Sequence, residues 1–302
     1  MQVPFMDLKR QYLSMKSEID KEIQDTLNKC AFVAGSKVAE FEKNFAEYCG
    51  VDYAVGVTIG TTAVYLALRA LKISNEDEVI TTPNTFIATV EAISLTGARP
   101  VFLDIDEKSY NIDPENIKEF IEVHCEWNEK NRILIDLRTQ RRVRAILPVH
   151  LYGQMSNMEP IMDIAKKYRL YVVEDAAQAH GALYNSGVET KRAGSFGDLA
   201  AFSFYPSKNL GSYGQGGTVV TNNSKYAERV RMLADHGQKE KYYHSFEGWN
   251  YKMSGFQGAI LNVKLRYLDE CNEKRNQQAF PREKLVSELD GVITPEEMPC
   301  TK

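Results

Sequence analysis

A lysine acts as a nucleophile only when it is neutral, and one lysine here sits where that form is favoured. In Ser203-Phe204-Tyr205-Pro206-Ser207-Lys208-Asn209-Leu210-Gly211 an apolar strand ends, a proline breaks it, and Lys208 follows in a tight, glycine-flanked loop. Desolvation among apolar and small residues lowers an amine's pKa. A neutral amine condenses with an aldehyde to form an imine. A lone lysine at a strand end is by default a surface charge, so the reading depends on its companions. The glycine-rich continuation Gly211-Ser212-Tyr213-Gly214-Gln215-Gly216-Gly217 is weak alone, because glycines also serve turns that need positive φ.

Three companions qualify. In Val172-Val173-Glu174-Asp175-Ala176-Ala177-Gln178-Ala179-His180 an apolar strand ends in two acids and then small residues. Such an acid can simply cap a turn. It can equally sit beside a pyridine nitrogen and keep the ring protonated, which lets the ring act as an electron sink, and Asp175 is placed to do so. Gly60-Thr61-Thr62 follows a strand and opens a helix, where backbone N–H groups and a hydroxyl make an anion site. Thr61 as a plain cap is compatible with that role. Pro83-Asn84-Thr85-Phe86 follows the next strand and offers an aromatic that is either core or a surface for a flat ring. An amine, an acid, a phosphate cradle and an aromatic are the parts of a site for pyridoxal 5'-phosphate (PLP), with Lys208 carrying the cofactor as a Schiff base.

Elements that alternate must position these residues. Met15, Ile19, Ile23 and Leu27 lie at four-residue intervals and predict a helix over about Gln11–Lys29. A second helix begins at Ser36 with Val38, Phe41 and Phe45 inward. Then come a strand (Tyr53–Val57), a helix (Thr61–Leu71), a strand (Glu78–Thr82), a helix (Thr85–Leu95) and a strand (Pro100–Leu103). Asp113-Pro114 opens a capped helix. Val143–Val149, Leu170–Glu174, Leu199–Phe204 and Thr218–Thr221 are further strands, with a helix at Met158–Tyr168. This pattern predicts an α/β fold, a mostly parallel sheet with helices on both faces. Ligands of such sheets bind beyond the carboxyl ends of the strands, where the four elements fall. The charged stretch His124–Arg144 breaks the rhythm and reads as a solvated insertion rather than an anion or partner patch.

The bulk numbers exclude several classes. The chain has 302 residues, 43% hydrophobic and 26% charged, with a net charge of −4, so no basic field draws it to nucleic acid or to an acidic membrane. Cys30, Cys49, Cys125, Cys271 and Cys300 are scattered without paired spacing. They read as free thiols in a reducing compartment, with no disulfide frame and no metal site. The start lacks a signal-peptide pattern, and no apolar run approaches the roughly 20 residues needed to span a bilayer. A cytoplasmic location is expected.

The four elements together resemble the DegT/DnrJ/EryC1/StrS family of PLP-dependent nucleotide-sugar aminotransferases. The resemblance runs from Val3-Pro4-Phe5 to about Arg275. It includes Asn84-Thr85-Phe86-Ile87-Ala88-Thr89, Pro148-Val149-His150-Leu151-Tyr152-Gly153, Glu174-Asp175-Ala176-Ala177-Gln178-Ala179-His180-Gly181 and the lysine segment Phe202–Gly211. It implies the PLP-dependent aminotransferase fold type I. It implies a large PLP-binding domain over residues 1–250 with N-terminal helices, and the beginning of a smaller C-terminal domain over 251–302. By resemblance, Lys208 binds PLP and shuttles a proton between the donor α-carbon and the cofactor. Asp175 pairs with the pyridine nitrogen, Gln178 contacts the phenolic oxygen or ring edge, and Phe86 stacks on the ring. Gly60, Thr61 and Ser203 hold the phosphate. Asn250, in Gly248-Trp249-Asn250-Tyr251-Lys252-Met253, reaches a phosphate in the partner subunit, which implies a homodimer with shared sites. His180 matches a common position, with a substrate contact and a structural role both open.

The resemblance implies transfer of an amino group from an amino acid, commonly glutamate, to a nucleotide-linked keto-sugar. The product would enter polysaccharide, lipopolysaccharide or glycosylated natural-product biosynthesis. The lysine segment is slightly more similar to relatives acting on 3-keto-sugars. Departures are Ile59 where many relatives have serine, Lys252 where arginine is frequent and Gln215 where an acid is frequent. Family members also continue past Pro299-Cys300-Thr301-Lys302, so complete cofactor residues and an incomplete substrate domain are expected. Two alternatives stay within the family. A sugar dehydratase carries histidine where Lys208 stands, and a shortened chain could be an inactive PLP-binding relic. An NAD-type reading fails because Gly56-Val57-Thr58-Ile59-Gly60-Thr61-Thr62-Ala63 lacks the third glycine of the fingerprint.

Overall fold

The computed structural model describes residues 6–287 and 289–302. Val3-Pro4-Phe5, where the resemblance begins, lie outside the described residues. In chain order the elements are α1 (Leu8–Asn28), α2 (Ser36–Cys49), β1 (Tyr53–Val57), α3 (Gly60–Ala70), β2 (Asp77–Thr81), α4 (Ile87–Leu95) and β3 (Arg99–Phe102). Then follow α5 (Pro114–His124), β4 (Cys125–Asn128), β5 (Ile133–Asp136), β6 (Arg141–Ile146), α6 (Met158–Tyr168), β7 (Tyr171–Asp175), β8 (Leu183–Asn185) and β9 (Thr190–Arg192). The last are β10 (Leu199–Ser203), β11 (Gly217–Thr221), α7 (Ser224–Ala234), β12 (Gln238–Glu240), β13 (Tyr243–His244), α8 (Gly255–Leu265) and α9 (Leu268–Ser287).

The central sheet has the order β1-β11-β10-β7-β6-β2-β3. Neighbours from β10 through β3 are parallel, and β11 alone runs against both β10 and β1. The expected mostly parallel α/β sheet is therefore present. Its strands β7, β10 and β11 are buried on both faces, as cover by helices on both sides requires. Successive residues go to opposite cores. Val172, Ala200 and Val220 pack with Phe41 and Phe45 of α2, Ile117 of α5 and Ile161 of α6. Val173, Ala201 and Val219 pack with Leu66 of α3, Ile93 of α4 and Val230 of α7. This alternation decides where the two acids at the end of β7 go. Glu174 belongs to the α2–α5–α6 side and Asp175 to the α3–α4 side.

Two details differ from expectation. The helix expected at Thr85 begins at Ile87, because Phe86 is extended (φ −73°, ψ 141°). In the first helix Met15 and Ile19 pack on Ile260 and Val263 of α8, Ile23 joins them partly, and Leu27 stays exposed. The His124–Arg144 stretch requires a correction. It is a hairpin, β4–β5, that adds to the N-terminal half of β6 through Leu134↔Val143 and Asp136↔Arg141. Its charged residues flank Ile133-Leu134-Ile135, where Leu134 is fully buried, and Trp127 packs edge-on against Tyr168. The charge density hid a strand-forming core.

The chain passes residue 250 without leaving this body. Lys252 bridges to Val57, and Ser254 bridges to Val33. Gly258 of α8 lies so close to Lys37 and Val38 that an added Cβ would meet their backbone at 2.9 Å. Residues 300–302 run along β8, where Leu183 and Lys302 exchange backbone hydrogen bonds, while Glu296 N donates to Lys108 O.

Candidate active site

Seven of the residues singled out from the sequence line one cavity of ≈ 580 Å³ at the carboxyl ends of the strands: Gly60, Thr61, Phe86, Asp175, Gln178, Ser203 and Lys208. Asn250 does not line it. It is exposed and bridges to Asp235.

Lys208 follows β10 in a loop whose first turn closes with Lys208 N donating to Tyr205 O at 2.8 Å. The loop doubles back so tightly that an added Cβ on Gly211 would meet the Pro206 carbonyl oxygen at 2.4 Å. Lys208 is half-buried. Burial pushes its pKa below the ordinary lysine value, and the Asp175 carboxylate opposes the shift without cancelling it. The expected low-pKa amine is in place.

Asp175, the last residue of β7, is 6% exposed. Its Oδ2 accepts from Thr89 Oγ1 at 2.7 Å and its Oδ1 from Ala177 N at 3.2 Å. Because the Thr89 hydroxyl is spent on Asp175, Thr85 must donate in the 2.8 Å Thr85–Thr89 contact. The relay Thr85→Thr89→Asp175 fixes the carboxylate and leaves further lone pairs free. Gln178 accepts from Tyr152 N at 2.7 Å through Oε1, which leaves its amide N–H groups available. Tyr152 itself takes a left-handed conformation (φ 59°) at the rim.

The anion end is built by close approach. An added Cβ on Gly60 would stand 2.5 Å from Ser203 Cβ, so only glycine lets the start of α3 reach the end of β10. Thr62 Oγ1 donates to Ile59 O at 2.8 Å and accepts Ile59 N at 3.2 Å. It thereby supplies the reach-back half of a capping box, while Ile59, lacking a hydroxyl, caps none of the first-turn N–H groups. The first N–H groups of α3 have no partner within the helix, as at any helix start, and they join Ser203 at the cavity wall. Phe86 is on the rim, 70% exposed.

The donor set fits a phosphorylated, aldehyde-bearing pyridine: a low-pKa amine, a fixed carboxylate and a helix start held open by Gly60. Behind the site lies a network that sequence reasoning gave no role. Glu174 is fully buried. It accepts from His150 Nε2 (2.9 Å), Gly194 N (2.8 Å), Phe196 N (2.9 Å) and Gly197 N (2.8 Å). His150 Nδ1 accepts Ser156 N at 3.1 Å, so its proton sits on Nε2. Burial acts to raise the Glu174 pKa, but the bonds from His150, Gly197 and Gly194 outweigh it and hold the group below its usual range. His180 does not line the cavity. It is 1% exposed between Phe202 and Phe204, with neither ring nitrogen hydrogen-bonded among the described residues, and burial followed by the Lys208 charge pushes its pKa down to about 3. That favours its structural reading. The signal that could have found Thr89 is its place one helical turn after Thr85.

A mostly parallel α/β sheet with a half-buried lysine and a buried aspartate converging beyond its strand ends is the arrangement of a PLP-dependent aminotransferase of the type I fold. The chain belongs to the DegT/DnrJ/EryC1/StrS aminotransferase family, whose model matches residues 13–301. It is 44% identical over 277 residues to dTDP-3-amino-3,6-dideoxy-alpha-D-galactopyranose transaminase of Aneurinibacillus thermoaerophilus, covering 92% of this chain and 70% of that one. Among solved structures it is similar to S. venezuelae DesV in complex with a ketimine intermediate (TM-score 0.87, 39% identity, 100% of this chain and 75% of that one). It is also similar to NtdA of Bacillus subtilis with bound cofactor PMP (TM-score 0.85, 30% identity, 99% and 64%). No helix among the described residues is long and apolar enough to cross a membrane.

Proposed function

We propose that this chain is a PLP-dependent aminotransferase that moves an amino group from an amino acid, glutamate in the first instance, to a nucleotide-linked keto-sugar. The observation that carries the reading is Lys208 and Asp175 facing one cavity, with the amine's pKa lowered by burial. PLP, when bound, supplies the electron sink for the two half-reactions. Lys208 attaches it, and its freed amine then carries the proton to and from the donor α-carbon. Asp175, fixed by Thr89, keeps the pyridine nitrogen protonated. Gly60, Thr61 and Ser203 hold the phosphate, Gln178 offers its amide N–H groups to the ring edge, and Phe86 covers the ring. A lysine at position 208, rather than histidine, favours amino transfer over dehydration. The slight likeness of the lysine segment to 3-keto-sugar relatives points to C3, as does the name of the Aneurinibacillus thermoaerophilus relative.

The working unit is a homodimer. Asn250 is exposed and away from the cavity of its own chain, free to reach the phosphate in the partner's site. Phe86 (70% exposed), the adjoining Ile87 (57%) and Tyr152 (70%) are exposed large hydrophobics that a second subunit would cover. The five free cysteines favour the cytoplasm. The proposed division is a PLP-binding domain over 1–250 and the beginning of a second one over 251–302, with α8 still packed in the core of the first. The test is incubation with PLP, L-glutamate and nucleotide-linked 3-keto- and 4-keto-sugars, following 2-oxoglutarate and amino-sugar. Stoichiometric formation of both supports the reading. Loss of a sugar hydroxyl without glutamate consumption would replace it with dehydration, and no turnover in a PLP-loaded dimer would replace it with a binding relic.

A further inference from the structure

The loop that carries Lys208 is held from behind at alternating residues. Asn209 Nδ2 donates to Asn272 Oδ1 at 2.9 Å, and Asn272 Nδ2 donates in turn to His180 O at 2.7 Å. Lys264 Nζ donates to the Gly211 carbonyl. Gln257 takes both sides of Tyr213, accepting its N–H at 3.0 Å and donating to its carbonyl at 3.4 Å. Gln257 and Lys264 are two helical turns apart on one face of α8, and Asn272 continues the series on α9. Lys264 is only 4% exposed, and its ammonium lies 5.1 Å from the centre of the Tyr213 ring. A buried cation is costly unless it is well satisfied. The acceptors that this one meets are one loop carbonyl and one loop aromatic face, both within five residues of Lys208.

We infer that Lys264, seconded by Gln257 and Asn272, is a positioning residue for Lys208: α8 and α9 clamp the lysine loop and set where its amine is presented. The inference rests on the proposed role of Lys208. The clamp also has a titratable element. Burial pushes the Lys264 pKa down to about 8, with Cys271 on α9 acting to raise it and Arg275 on α9 to lower it. Tyr213 faces it from the loop, and Tyr12 and Asp20 of α1 stand behind Tyr213. Below that pH the ammonium makes a charge-assisted bond to Gly211. Above it a neutral amine makes a weaker one.

The test compares Lys264→Met, which keeps the stem and removes the charge, with Lys264→Arg, which keeps the charge at every accessible pH. Amide hydrogen exchange of the 207–214 segment in the cofactor-free protein reads the loop directly, without reliance on catalysis. Lys264→Met is expected to speed exchange there by about tenfold, the loss of one charge-assisted hydrogen bond of about 1.4 kcal/mol. The same variant lowers kcat about tenfold with KM for the amino donor unchanged. Lys264→Arg restores both and shifts the alkaline fall in kcat to higher pH. Gln257→Ala shows the same pattern more weakly and serves if Lys264→Met does not fold. A lower melting temperature with unchanged segment exchange and unchanged kcat overturns the clamp. A wild-type protein that reacts with PLP at a residue other than Lys208 overturns the role of Lys208 instead, and the two failures are told apart by that adduct.

Discussion

Glu174 and Asp175 are neighbours on one strand, equally acidic in sequence, and the pleat sends them to opposite sides of the sheet. On the α2–α5–α6 side Glu174 is closed in by His150 and three backbone N–H groups, with no capacity left for a ligand. On the α3–α4 side Asp175 is held by Thr89 and Ala177 but still faces the cavity and the Lys208 charge. The difference separates holding from reacting. A carboxylate whose donors are all structural stabilises a fold. One held firmly with acceptor capacity left toward a cavity serves a ligand.

Substitutions split the two. Glu174→Ala leaves four donors without their acceptor and should destabilise the protein by several kcal/mol, at about 1–3 kcal/mol for each donor left unsatisfied. The reading is a large fall in melting temperature, with activity per folded molecule little changed. The same acid gives a pH signature. Its folded pKa is below the usual 4.5, so its contribution is present above that value and lost as pH falls through the lower folded pKa. Acid titration of stability should show that loss in the wild type and not in Glu174→Ala. Asp175→Asn should do the reverse, with a melting temperature near wild type and kcat reduced on the order of 10²–10³-fold, as when one preorganised electrostatic partner is removed. Thr89→Val removes one hydrogen bond to Asp175, worth about 1 kcal/mol, and should lower kcat several-fold. If Thr89→Val leaves kcat unchanged, the relay from Thr85 is not what fixes Asp175. The smallest effect is on Lys208. The rate at which the cofactor-free protein captures PLP should rise with pH around a midpoint below that of an ordinary lysine, and Asp175→Asn should move the midpoint lower still, because Asp175 acts to raise it. Rapid-mixing absorbance at several pH values reads this.

Much of the frame was legible. Buried strands announce themselves as short apolar runs, and Tyr53–Val57 and Met158–Tyr168 fall where periodicity places them. Lys208, Asp175 and Gly60 were readable because each combines a chemical type with a strand end. What stayed hidden depends on distance in sequence. The Thr89–Asp175 bond joins residues 86 apart, and no local spacing encodes it. The β4–β5 hairpin was masked by arginines and glutamates around three apolar residues. Lys264 carries no signal in the sequence, because only the tertiary packing of α8 against the distant Gly211–Tyr213 loop buries it.

The central claim is that Lys208 carries the cofactor, and borohydride trapping tests it most directly. Protein loaded with PLP, reduced with borohydride and mapped by mass spectrometry should carry the pyridoxyl group on Lys208, and Lys208→Ala should neither trap it nor transfer amino groups. A reduced adduct on another lysine, or amino transfer retained by Lys208→Ala, would contradict the account.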